Sequence, residues 1–291
     1  MKPARTLTLA LLLASLVPAV AQPLKVERIV WLSADPPPAA DSKSGTALAE
    51  RLVAFMRRQW PGVEHVIVRA NAQRAWQLLA SGEPACHASA VHTAEREKIA
   101  HFTDTLVGPP LQLIVRREKL TALPRNGAGE IELQRLLADP LLRGALIHGR
   151  SYGPVIDGLL ARRPDNPSVL LYSASDYGSK LLPMLAVGRA DYAIEYDIAL
   201  GVMRENMPGA AALTSQSIAG VSEPMRAGVA CPRTPWGHAA ITHIDTVLGS
   251  PAGAAMLRES TERLMTPELR QRHAARLDAF YRERAKPSVI R

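Results

Sequence analysis

Twice along the chain, short β-rich runs alternate with stretches of helical spacing, and that rhythm admits few architectures. In the first stretch, Val26 to Leu32 and His65 to Arg69 read as strands. Between them Leu48, Leu52, Phe55 and Met56 recur at helical spacing until Pro61-Gly62 stops the helix. Ala72 to Ala80 reads as a second helix, closed by Ser81-Gly82, and Ala85 to Val91 as a buried strand of small residues. The second stretch repeats the pattern. Strands are predicted at Leu111 to Val115, Ala145 to His148, Val169 to Tyr172 and Ala190 to Tyr196. Helices are predicted at Ile131 to Leu137, Pro154 to Ala161 and Lys180 to Val187. Such alternation sets strands parallel and lays helices over them, so the fold class is α/β. The tail, Trp236 to Leu248 and Ala252 to Tyr281, reads as helical. No linker separates the stretches, so we expect two α/β lobes joined by a hinge that the chain crosses more than once.

Residues 1–21 stand apart from this pattern. Lys2 and Arg5 precede an apolar run, Leu7 to Val17, and Ala19-Val20-Ala21 forms a small-x-small cleavage site. The run is shorter than the roughly 20 residues a bilayer span needs, and Pro18 interrupts its end. We therefore expect a signal peptide removed near Ala21, export across the inner membrane and a periplasmic location. Hydrophobic residues make up 47% of the 291, enough for a sizeable core and too many for a disordered chain. The formal charge of +8 is scattered in isolated pairs such as Arg57-Arg58 and Arg162-Arg163. Scattered charge reads as solvated surface, so no nucleic-acid partner is expected.

Chemistry concentrates between His92 and Glu118. A Thr-x-x-Arg pattern, Thr93 to Arg96, follows the third strand; Phe102-Thr103-Asp104 comes next, then a strand ending at Arg116-Arg117. An Arg beyond a strand's carboxyl end faces the crevice where open α/β sheets bind ligands. Its planar fork of donors matches a carboxylate. Arg96 is the leading ligand contact, with Thr93 beside it; the competing reading pairs Arg96 locally with Glu95 or Glu97. Further on, Gly149-Arg150-Ser151-Tyr152-Gly153 precedes Pro154, which suits a helix start with free N–H groups. Ser151 can cap that helix or bind ligand; Tyr152 can pack on ligand or cover the loop.

In order and spacing these segments resemble the type II periplasmic solute-binding proteins, particularly the amino-acid-binding family 3. Gly188-Arg189-Ala190-Asp191 resembles that family's Gly-Arg-x-Asp strand, and Arg226 to Cys231 its return to the first lobe. The resemblance implies lobe one at 22–108 plus 232–291 and lobe two at 109–231. It implies a small polar, carboxylate-bearing solute held between them, and delivery to an inner-membrane ABC permease or report to a membrane sensor. It also implies an aromatic wall at Trp31. The sequence departs from the family where an Asp meets the ligand's ammonium: five residues past Asp191 stands Tyr196, flanked by Glu195 and Asp197. Tyr196 suits stacking or a neutral polar group.

Cys86 and Cys231 form an even pair in an exported chain, so we expect a bridge between them rather than two buried thiols. A loop that long corresponds to about 4–5 kcal/mol in the chain-entropy account. Such a bridge would also limit lobe opening. His87, His92 and His101 lie near Cys86 without ligand-like convergence, and no metal or other cofactor is expected. No Gly-x-Ser-x-Gly, His-Glu-x-x-His or Walker loop is present, so an enzyme is not expected. The expected form is a monomer.

Overall fold

The computed structural model describes residues 25–33, 48–148, 150–172, 181–265 and 267–290. The expected signal peptide lies outside them, as does the run Pro36-Pro37-Pro38. The chain first lays down four strands, β1 (Arg28–Ser33), β2 (Glu64–Arg69), β3 (Ala85–Val91) and β4 (Ala100–Gly108). Helices α1 (Leu48–Gln59), α2 (Ala72–Ala80) and the short α3 (Ala94–Glu97) connect them. It then builds a second unit from β5 (Gln112–Arg116), β6 (Gly144–Ile147), β7 (Val169–Tyr172), β8 (Tyr192–Glu195) and β9 (Leu213–Gln216). Interleaved are α4 (Leu133–Ala138), α5 (Pro154–Ala161), α6 (Leu181–Ala186) and α7 (Asp197–Asn206). Finally β10 (Met225–Pro232) returns, followed by α8 (Pro235–Leu248), α9 (Pro251–Glu262) and α10 (Pro267–Arg284).

The strands form two five-stranded sheets, β2-β1-β3-β10-β4 and β7-β6-β8-β5-β9. Both are mixed rather than wholly parallel. β10 runs antiparallel to β3 and β4, and β5 runs antiparallel to β8 and β9. Each is the first strand after a crossing from the other unit, so it enters its sheet from the opposite end. The sequence assigns residues 109–231 to the second lobe, yet residues 225–231 pair within the first sheet.

Alternation along the strands sends side chains to two apolar layers per sheet. In the first sheet, Ile29 and Trp31 join Leu52 and Met56 of α1 and Ile241 and Ile244 of α8. Leu32 and Ala230 face the other way, against Ala75 and Leu79 of α2. In the second sheet, Leu113, Leu146 and Ile194 pack with Leu136 of α4 and Ile156 of α5. Ile114, Ala145 and Ala193 pack with Leu181 of α6 and Leu200 of α7. Helix starts follow local chemistry. The side chains of Asn71, Thr234 and Ser250 each accept a backbone N–H of the helix they open, and Pro occupies the first turn of α8 and α9.

A buried ionic group locks the tail to β4. Arg284 lies 2.9 Å from Asp245, Thr103 Oγ1 donates to Asp245 at 2.6 Å, and Arg284 Nε donates to the Asp104 carbonyl at 2.9 Å. The β4–β10 ladder slips register at Gly228, where a Cβ would sit 2.0 Å from the Thr103 carbonyl oxygen. Only glycine fits there. Cys86 of β3 and Cys231 of β10 are disulfide-bonded. Both belong to the first sheet, so the bridge ties neighbouring strands and does not restrain the two units against each other. Among the described residues no helix is long and apolar enough to cross a membrane.

Candidate functional site

A cavity of about 700 Å³ is lined from both units. That volume suits a small organic molecule. The first wall is the turn after β3. Thr93 opens α3, its Oγ1 accepting from Arg96 N at 3.3 Å. This fixes the turn and projects Arg96 along the cavity. Arg96 Nη1 donates to the Val91 carbonyl at 2.8 Å, and its guanidinium carbon lies 4.5 Å from the centre of the Trp76 ring. The carbonyl and the π face together orient the guanidinium.

His92 lines the cavity beside Thr93. Its Nδ1 lies 2.6 Å from Asp104 Oδ1 and its Nε2 2.7 Å from Glu97 Oε1, and the ring stacks on Phe102 at 4.2 Å. Burial pulls the His92 pKa down, but the hydrogen bonds and charges of Asp104 and Glu97 outweigh it and hold the pKa above the ordinary imidazole value. Arg226 of β10 also lines the cavity and reaches the other Asp104 oxygen at 3.1 Å. Behind this wall His87 is fully buried. Burial first, and the Arg96 charge second, push its pKa down to about 3.

The second wall is the loop before α5 together with the end of β8. Gly153 adopts φ +88°, a left-handed turn that favours glycine, and Pro154 begins the helix. Asp157, one turn in, accepts Tyr152 N–H at 2.7 Å and Ser151 Oγ–H at 2.7 Å. Tyr152 is buried and its hydroxyl accepts Ile147 N–H at 2.8 Å. Tyr196 follows β8 and opens α7. Burial pushes the Tyr196 phenol up to about 12, against the opposing pull of Arg150. The charge of Arg96, on the other unit, also acts on that phenol.

Beneath the two tyrosines lies a closed ion pair. Arg150 Nη1 donates to Glu195 Oε2 at 2.6 Å and Nη2 to Oε1 at 2.8 Å, with the side chains 4% and 2% exposed. The guanidinium carbon sits 5.0 Å from the Tyr152 ring centre and 5.6 Å from that of Tyr196. Burial would lower the Arg150 pKa, yet the Glu195 charge and hydrogen bonds more than restore it, so Arg150 stays charged.

Of the residues singled out from the sequence, Thr93, Arg96, Ser151, Tyr152 and Tyr196 all border this cavity. Gly149 lies outside the described residues. Trp31 does not border it. It is fully buried in the layer under α1, and its indole Nε1 donates to His65 Nδ1 at 3.0 Å. The reason is register: β1 is an interior strand, and alternation turns Trp31 onto its helix-covered face. Sequence reasoning missed His92, Arg226 and the Arg150–Glu195 pair. The signals were faint: His92 adjoins the Thr93 motif, and Arg150 adjoins Ser151.

Scans against family models and against curated proteins give no match. Solved structures do match. A putative L-cystine ABC transporter protein from Listeria monocytogenes is 17% identical with TM-score 0.58, over 84% of this chain and 98% of that one. The periplasmic VFT2 domain of BvgS from Bordetella pertussis is 16% identical with TM-score 0.57, over 82% and 93%. A histidine kinase sensor domain with similarity to periplasmic binding proteins is 16% identical with TM-score 0.51, over 89% and 95%. At these identities the likeness speaks for the fold. The chain has the fold of a divergent type II periplasmic binding protein.

Proposed function

We propose that this protein captures a small carboxylate-bearing solute between two lobes, residues 25–108 with 225–290 and residues 109–224. One observation carries the reading: Arg96 from one unit and Tyr196 from the other border a single cavity. A solute reaching both would favour the closed arrangement by its differential affinity for it, and by no more. Arg96 receives the carboxylate as a charge-assisted pair, and Tyr152 and Tyr196 close over the solute from the second lobe. The protein acts in the periplasm after loss of its first 21 residues, delivers solute to an ABC importer and is not an enzyme. The disulfide and the fold support that location. A second reading is a sensing module for a membrane partner, favoured by the likeness to a histidine kinase sensor domain.

A thermal-shift screen of amino acids, organic acids, polyamines and small sugars tests the shared core of both readings. A ligand of the native state must raise Tm once its concentration exceeds Kd. A carboxylate-dependent rise that disappears in Arg96→Ala supports capture; a rise with polyamines or sugars alone refutes it. Co-purification with a permease or with a sensor kinase then separates the two roles.

A further inference from the structure

Given that reading, we infer that His92 is a positioning residue for Arg96. As an imidazolium it ties Glu97, the last residue of the turn that presents Arg96, to Asp104 of β4. Losing its proton unties that turn and weakens capture of a carboxylate. The geometry places the proton. Nδ1 lies 2.6 Å from Asp104 Oδ1 and Nε2 2.7 Å from Glu97 Oε1. An ionised carboxylate only accepts, and a neutral imidazole has a single N–H. Both contacts are therefore satisfied together only when both ring nitrogens carry a proton. The ring has little freedom to turn away. It lies flat on Phe102, 4.2 Å between centres, and the His92 backbone N–H donates to the Arg226 carbonyl at 2.9 Å.

What the tie holds is small. α3 has four residues, and one helical turn does not sustain itself. Its Arg96 and Glu97 N–H groups both reach the Thr93 carbonyl at 3.0 Å. At its far end Glu97 is anchored by His92 through the side chain and by Arg233 through the backbone carbonyl. The charges around the ring are Glu97 from α3, Asp104 from β4, and Arg226 from β10, which meets the second Asp104 oxygen at 3.1 Å. Further out, Arg96 adjoins Glu97, Glu95 is taken up by Lys98, and Arg284 bonds the Asp104 backbone. Asp157 stands in the wall across, and His87 behind is neutral. With the proton, His92 and Arg226 balance Asp104 and Glu97. Without it one bond is lost, and one negative charge is left over beside the cavity that His92 and Arg226 line. Both effects weaken capture. The His92 pKa lies above 6.5. Capture is therefore full in mild acid and falls, by at most about ten-fold per pH unit, as pH rises through that value.

NMR titration of the His92 ring and hydrogen exchange of the Arg96 and Glu97 amides, in the protein without solute, test the tie. The ring should hold both protons below a midpoint that lies above 6.5. Protection of the two amides should fall about ten-fold as pH passes that midpoint. In His92→Gln the protection should not follow pH, and in Glu97→Gln the midpoint should drop. A midpoint at or below 6.5, one that Glu97→Gln does not lower, or protection that crosses it unchanged overturns the inference. Calorimetry with 3-phenylpropanoate, L-leucine and L-glutamate tests the consequence. Affinity should fall about ten-fold across the midpoint in the parent and stay level in His92→Gln. Affinity that is level in the parent, or falls equally in both proteins, also overturns the inference. Silence from all three and from every carboxylate of the thermal-shift screen, with the amides still following His92, overturns carboxylate capture and leaves the tie standing.

Discussion

Arg96 on the first wall is placed by a carbonyl oxygen and the face of Trp76; Arg150 on the second is enclosed with Glu195 under two tyrosines. Both guanidiniums stand near the same cavity, each just beyond the end of a strand. Their surroundings differ. The charges of both act on the Tyr196 phenol, that of Arg150 against the opposing charge of Glu195. A guanidinium with a bidentate carboxylate contributes rigidity to the wall, and that carboxylate opposes its field beyond the pair. Charge alone therefore says little about a binding site until the internal pairs are subtracted.

The comparison can be broken most forcefully at Arg150. Arg150→Met leaves Glu195 buried without a counter-charge, and unfolding in urea should show a loss of about 3–5 kcal/mol. The double variant Arg150→Met, Glu195→Leu should recover most of it. A single variant as stable as the parent would mean that the pair does not hold the wall. Acid tests the first wall. His87 is neutral in the fold with its pKa near 3, while the unfolded chain binds that proton below its ordinary value of 6.5. Stability should therefore fall as pH drops from about 6.5 toward 3, by about 1.4 kcal/mol per pH unit from this group. His87→Gln should flatten that slope. His92 works in the opposite sense. Its raised pKa contributes stability that is full below 6.5 and is lost as pH rises through the folded value. His92→Gln should remove that loss on the alkaline side.

Arg96→Ala should separate affinity from stability. Loss of a charge-assisted contact of about 1.5–3 kcal/mol weakens carboxylate binding by roughly ten- to a hundred-fold. Unfolding should move less, by about 1 kcal/mol for the contact with Trp76. Equal effects on both would make Arg96 a structural residue. The smallest change is expected for Tyr196→Phe, which removes a hydroxyl over the Arg150 guanidinium. A stability loss of about 1 kcal/mol or less, read from Tm, fits a covering role; a larger effect on ligand affinity than on Tm would make the phenol a ligand contact.

Much of the architecture was legible because Gly, Pro and helical spacing punctuate it so plainly. β4 was not, since His101, Thr103 and Thr105 break the apolar pattern of AHFTDTLVG, and all three are buried. Their burial depends on partners far along the chain. Thr103 meets Asp245 and Arg284, and Thr105 bonds the backbone of β10. The second tail segment read from the sequence, Ala252 to Tyr281, is two helices, divided before Pro267, the residue that opens α10. The Thr93–Arg96 turn was readable because a helix start after a strand is local. Arg150–Glu195 was not, because its members come from separate strand–loop junctions, and alternation along β8 cannot reveal what an inward carboxylate meets. Trp31 failed for a related reason: an aromatic near a strand's end is equally at home in a core.

β10 lies between β3 and β4, yet it is made after the whole second unit. Its first residue, Met225, stands opposite Gly108, the last of β4. The first sheet is therefore complete only once a strand made late is seated between two made early. The second unit also inserts a later strand, β8 between β6 and β5, but it draws all five strands from one stretch of chain with no excursion to the other unit. The Cys86–Cys231 bond across β3 and β10 is thus a record of chronology. Cys86 has no partner in the chain until residue 231 is delivered, so blocking thiols in a pulse of newly made chain would date the moment at which the first sheet becomes whole.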